Sequence, residues 1–72
     1  MANDFKELKE KIGKNIAKHR KAAKISQLKL SLMTESGEDY ISHVECGRSL
    51  PSIKLAYKIS KALKIELYEL FK

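Results

Sequence analysis

Cysteine is nearly absent from this chain. Cys46 is the only one, so no intramolecular disulfide can form and a reducing compartment is expected. Nothing beside Cys46 in sequence marks it as an activated thiol. Long hydrophobic runs are missing too: none approaches the ~18 residues that cross a bilayer, so no membrane partner is expected. The first residues, Met1-Ala2-Asn3-Asp4-Phe5-Lys6, are polar and charged and do not read as a secretory signal. The expected location is the cytoplasm. The three glycines form no phosphate-binding loop, and no nucleophile–base pair occurs at a recognisable spacing. His43-x-x-Cys46 could put two metal ligands on one helix face, but structural zinc wants four and no second pair lies nearby. No catalytic residue, cofactor or metal is therefore expected, and the chain does not read as an enzyme. Repeats, low-complexity tracts and linkers are also lacking.

Acids are scarce relative to bases. Nine Asp and Glu face fifteen Lys and Arg, a net charge of +6, which favours polyanionic partners, nucleic acid first. The surplus is uneven. Residues 1–29 hold nine bases and three acids, residues 30–50 one base and four acids, and residues 51–72 five bases and two acids. At seventy-two residues the chain is one domain, 1–72. A chain of this size buries only roughly 60% of its unfolded surface, which leaves little room for a deep cleft.

What is present is helical periodicity. Phe5, Leu8, Ile12, Ile16 and His19 share one face of a helix expected from about Asp4 to Ala23. Asp4 and Glu7 suit its N-terminus, and Arg20, Lys21 and Lys24 its C-terminal end. Gly13 costs this helix up to ~1 kcal/mol relative to alanine, and a glycine there lets another helix approach closely. Ser26 is expected to cap a helix over Gln27–Met33. Ser36, with Asp39 three residues on, is expected to cap a third helix from about Gly37 or Glu38 to Glu45. Ser52 should cap a fourth through Leu63, with Ile53, Ala56, Ile59, Ala62 and Leu63 as its apolar stripe. A short fifth helix is expected over about Glu66–Phe71. The middle of this pattern, about residues 27–45, is two short helices joined by a tight break: a helix-turn-helix, whose second helix can lie in a DNA major groove.

From Ile12 to Phe71 the chain resembles the lambda-repressor-like, Cro/C1-type (XRE) helix-turn-helix domains. The resemblance rests on Ile12-Gly13-Lys14-x-Ile16-x-x-x-Arg20-Lys21, Ser26-Gln27-x-x-Leu30, Tyr40-Ile41-Ser42-x-Val44-Glu45-x-Gly47-Arg48-x-x-Pro51-Ser52, Lys58-Ile59-x-Lys61-Ala62-Leu63 and Glu69-Leu70-Phe71. The short length and the Tyr40-Ile41-Ser42 core also resemble restriction–modification controller proteins. The resemblance implies an all-α, five-helix domain that binds a near-palindromic operator in double-stranded DNA as a homodimer. It implies a transcription-regulating, repressor-like role in the nucleoid. It implies that Gln27 contacts DNA near the backbone, that Glu38, Asp39, Tyr40 and His43 lie on the base-reading face, and that Arg20 and Glu45 tie the first helix to the end of the third. Five positions depart from the family pattern: Ser31 replaces alanine, Glu35 replaces a turn glycine, Thr34 and Ser36 replace apolar residues and so predict a looser turn, and Cys46 replaces a phosphate-contacting asparagine.

The chemistry of these side chains supports the assignments while leaving alternatives open. Gln27, at a helix N-terminus, can donate to a phosphate. Glu38 and Asp39 can accept from cytosine N4 amino groups, or can simply complement the helix dipole. Tyr40 can bond a phosphate or pack on a thymine methyl, and His43 can donate or accept at a base edge. Arg48 is the best phosphate clamp, with Lys29 and Lys54 as lesser backbone contacts. His19 reads as a partly buried core histidine. Leu67, Tyr68, Leu70 and Phe71 supply apolar surface for a dimer interface. The acidic third of the chain motivates the other reading, an antitoxin or adaptor whose helix-turn-helix binds a protein.

Overall fold

The computed structural model describes residues 2–72, with side chains from residue 5 onward. The order is α1 (Ala2–Ala22), α2 (Gln27–Thr34), α3 (Glu38–Glu45), α4 (Ile53–Leu63) and a closing 3₁₀ helix (Leu67–Phe71), with no strand among the described residues. The last segment is thus wound more tightly than the fifth α-helix expected. α1 begins two residues earlier than its periodicity predicts, and the dipole role expected of the Asp4 side chain lies outside the described residues.

Each helix contributes aliphatic side chains to one core. Ile12 and Ile16 come from α1, Leu30 from α2, Ile41 and Val44 from α3, and Leu55, Ala56, Ile59 and Leu63 from α4; Leu70 closes it from the 3₁₀ helix. Burying a side chain of this size contributes about 1.5–3 kcal/mol. α2 lies against both α3 and α4, while α1 spans α3 and the 3₁₀ helix. Asn15 Nδ2 donates to the Leu70 carbonyl at 2.9 Å and pins the C-terminal segment to α1. Gly13 explains how α1 and α3 meet. A Cβ at this position would stand 2.7 Å from the Glu45 carbonyl oxygen and closer still to that of Val44. The end of α3 therefore rests on the bare backbone of α1.

Four expectations need correction. Phe5 is exposed, because it lies a turn before the buried part of α1; the Lys9 ammonium stands 5.9 Å from its ring centroid. Ile53, the first residue of α4, is also exposed, since the buried stripe runs through Leu55, Ala56, Ile59 and Leu63. Ser36 does not cap α3. The residue before α3 is Gly37, which offers no side-chain bond, and the Ser36 hydroxyl lies instead 2.8 Å from that of Thr34. Nor is the turn loose: Thr34 is buried and its hydroxyl donates to the Leu30 carbonyl at 2.9 Å. The caps at Ser26 and Ser52 are present as expected, each hydroxyl accepting a backbone N–H at 3.0 Å.

Candidate nucleic-acid interface

α3 is an eight-residue helix with a sharp division of faces. Ile41 and Val44 are buried, whereas Glu38, Asp39, Tyr40 and His43 are exposed. The buried pair fixes the rotation of the helix, and its remaining residues point to solvent by default. Gly37 gives no side-chain cap, and the charges of Glu38 and Asp39 in the first turn complement the dipole of α3. Gly47, at φ +80°, ends the helix in the left-handed conformation that glycine tolerates best. The Arg48 N–H then donates to the His43 carbonyl at 2.9 Å. This places the exposed Arg48 just beyond the α3 face.

The C-terminal end of α3 is held by Glu45. Arg20 of α1 donates to both of its carboxylate oxygens, from Nε at 2.6 Å and from Nη2 at 3.1 Å, and Nη1 donates to the Ile25 carbonyl at 2.9 Å. Both side chains are largely buried, with 12% and 6% of their surface exposed. A third partner is one that the spacing of the sequence gives no sign of: Gln27 Nε2 donates to Glu45 Oε1 at 2.9 Å. A carboxylate can only accept, so the Gln27 amide must turn its nitrogen inward. The second proton of that nitrogen takes no part in this bond. One carboxylate thus joins α1, the first residue of α2 and the end of α3.

The other expected contacts fall in two places. Lys54 lines a shallow notch with Tyr40, Ser52 and Lys58, so it stands on the same side of the molecule as the α3 face. Lys29 is exposed but lies about 200° around α2 from Gln27. The two are not brought together. Leu70 is fully buried in its own protomer and is unavailable to a dimer partner, while Leu67 is half-buried and Tyr68 and Phe71 are exposed. His19 is half-buried. Cys46 is an exposed free thiol, and the described residues contain no group of three or more His, Cys, Asp or Glu able to hold a metal.

Residues 16–70, from the middle of α1 into the 3₁₀ helix, match the family model described as Helix-turn-helix. The chain belongs to the helix-turn-helix family. It is a DNA-binding transcriptional regulator of the Cro/C1 type. Among solved structures it is similar to the restriction-modification controller protein C.AhdI from Aeromonas hydrophila, with 32% identity over 88% of this chain and 96% of that one and a TM-score of 0.84. A comparison with curated protein sequences finds no match. In this helix-turn-helix protein α2 and α3 form the motif itself, and Glu35 and Ser36 lie in its turn. No helix among the described residues is long and apolar enough to cross a membrane.

Proposed function

We propose that this protein is a controller-type regulator that binds a near-palindromic operator as a homodimer, with one α3 in each of two successive major grooves. The observation that carries the reading is the exposed α3 face of Glu38, Asp39, Tyr40 and His43, set on a helix whose other side is locked in the core. Tyr40 and His43 read base edges. Gln27, Arg48 and Lys54 hold phosphates, with Lys29 at most a distant electrostatic contributor. Glu38 and Asp39 either accept from cytosine amino groups or serve only the dipole of α3, and Glu38→Gln separates the two. A shifted base preference marks readout. Tighter non-specific binding marks a charge that serves the helix alone. Tyr68 and Phe71 provide the exposed apolar part of the dimer face, and the likeness to C.AhdI supports the controller role.

The test is binding selection from random duplexes with the purified chain, followed by a salt titration. The expected outcome is two half-sites about 34–36 Å apart. Affinity should fall ~10³–10⁵-fold between about 50 and 200 mM salt if six to ten phosphates are neutralised. A flat salt profile with no enriched site would overturn the proposal. The acidic front edge of α3 favours a second reading, a protein-binding antitoxin or adaptor. A stoichiometric protein partner, together with no shift of any DNA, would select it.

A further inference from the structure

α2 is apolar on both sides, and the operator-binding reading uses neither its outer side nor the groove beside it. Leu30 and Thr34 face the core, yet Leu28, Leu32 and Met33 leave 51%, 69% and 45% of their surface exposed. Three large apolar side chains turned to solvent on one eight-residue helix make an exposed apolar patch, and a chain this small has few aliphatic side chains to spare for solvent. Leu28 and Leu32, one turn apart, form a ridge. Beside it Met33 opens onto a groove of about 350 Å³ between α2 and α4, lined also by Tyr57, which is 52% exposed, and by Ala62, Lys58, Lys61 and Glu35.

The rim of this surface is cationic. Lys29 shares the outer face of α2, and Lys58 and Lys61 border the groove. The Lys61 ammonium stands 5.5 Å from the Tyr57 ring centroid and is held at the edge of the apolar floor. Glu35, the one acid of the groove, is paired with Lys58 at 3.4 Å. A second copy of this chain is a poor occupant, because an isologous contact would set these lysines against themselves. The described residues have no sheet edge for an extended peptide to join. A ridge of residues at i and i+4 beside a groove is what a helix packs on.

We propose that the outer face of α2 and the α2–α4 groove dock an acidic amphipathic helix of another protein. Leu32 and Met33 lie about 140° and 120° around α2 from Gln27, on opposite sides. None of the four exposed α3 residues lines the groove, and a partner's binding there does not depend on the operator reading.

The experiment uses labelled amphipathic peptides of about eighteen residues, long enough to be helical alone. All carry one leucine stripe, flanked by glutamates in one set and by lysines in the other. Anisotropy with the full chain should show saturable binding of the glutamate set and binding about ten-fold weaker or absent for the lysine set. Leu32→Ser and Lys61→Glu, both at exposed positions, should each weaken the glutamate set about ten-fold while leaving the thermal midpoint unchanged, and the uncharged change Leu32→Ser should also leave DNA affinity unchanged. Equal binding of both sets, no binding of either, or indifference to Leu32→Ser overturns the proposal. So does sedimentation showing that Leu32→Ser abolishes self-association, which would give the face to a second copy.

Discussion

Glu45 answers to two side chains at once, and its environment decides what each neighbour is worth. With Arg20 in place, the carboxylate is neutralised by a two-point ion pair and its Oε1 also receives Gln27. Arg20→Ala would leave a largely buried carboxylate with one neutral donor. The expected loss is about 3–5 kcal/mol, read by chemical denaturation, because an uncompensated buried charge costs more than the pair contributes. Gln27→Ala should disturb stability far less, since Arg20 remains, and should weaken DNA binding evenly across sequences. Gly13 presents the opposite case. Alanine there would gain about 1 kcal/mol of helix propensity. Its Cβ, however, would press on the Val44 and Glu45 carbonyls, which are backbone and cannot swing away. Overpacking of this kind costs about 1–3 kcal/mol, so Gly13→Ala should lower the thermal midpoint. The sequence suggested that a glycine in mid-helix admits a neighbour. It gave no means of knowing that the neighbour is the end of α3, because the contact joins residues more than thirty positions apart.

At the scale of elements, the four α-helices end alike. After each, an N–H two or three residues past the helix reaches back to a carbonyl inside it: Ile25 to Arg20, Ser36 to Ser31, Arg48 to His43 and Ile65 to Ser60. The residue at each turn is left-handed, and only α3 uses glycine there; Lys24, Glu35 and Lys64 stand at the others with φ of 61°, 58° and 59°. This accounts for what could be read in advance. Gly47 announced the end of α3, and Glu35 was conspicuous only against a family pattern. Lys24 and Lys64 look like ordinary surface lysines. The same blindness affected the start of α3, where a serine and an aspartate at capping-box spacing outweighed the glycine that precedes the helix. Substituting glycine at these turns should stabilise, and by unequal amounts. A left-handed side chain costs about 1–2 kcal/mol, part of which glycine returns as added freedom in the unfolded chain. Lys64→Gly should therefore gain up to about 1 kcal/mol in denaturant unfolding. Glu35→Gly should gain less, because it also gives up the exposed contact with Lys58, which is worth about 0.2–1 kcal/mol.

Over the whole molecule, charge and apolar surface are divided among faces that the linear order mixes. The core stripe of α1, the break at residues 34–37 and the exposed side of α3 follow from spacing alone, which is why the helix-turn-helix was legible. The outer apolar face of α2 was not, since leucines at 28, 30 and 32 look equally fit for burial until α3 and α4 are seen to cover only one side. Leu70 was mistaken for interface for the matching reason: the core that buries its side chain is built partly from α1, more than fifty residues away. In the proposed function, the four exposed side chains of α3 are the point at which fold becomes function. The most direct measurement is binding selection from random duplexes with the native chain and with His43→Ala, carried out side by side. The native protein is expected to enrich a two-fold motif, and His43→Ala to lose preference at the same base position in both half-sites while keeping their spacing. An identical motif from both proteins would contradict the placement of α3 in the groove.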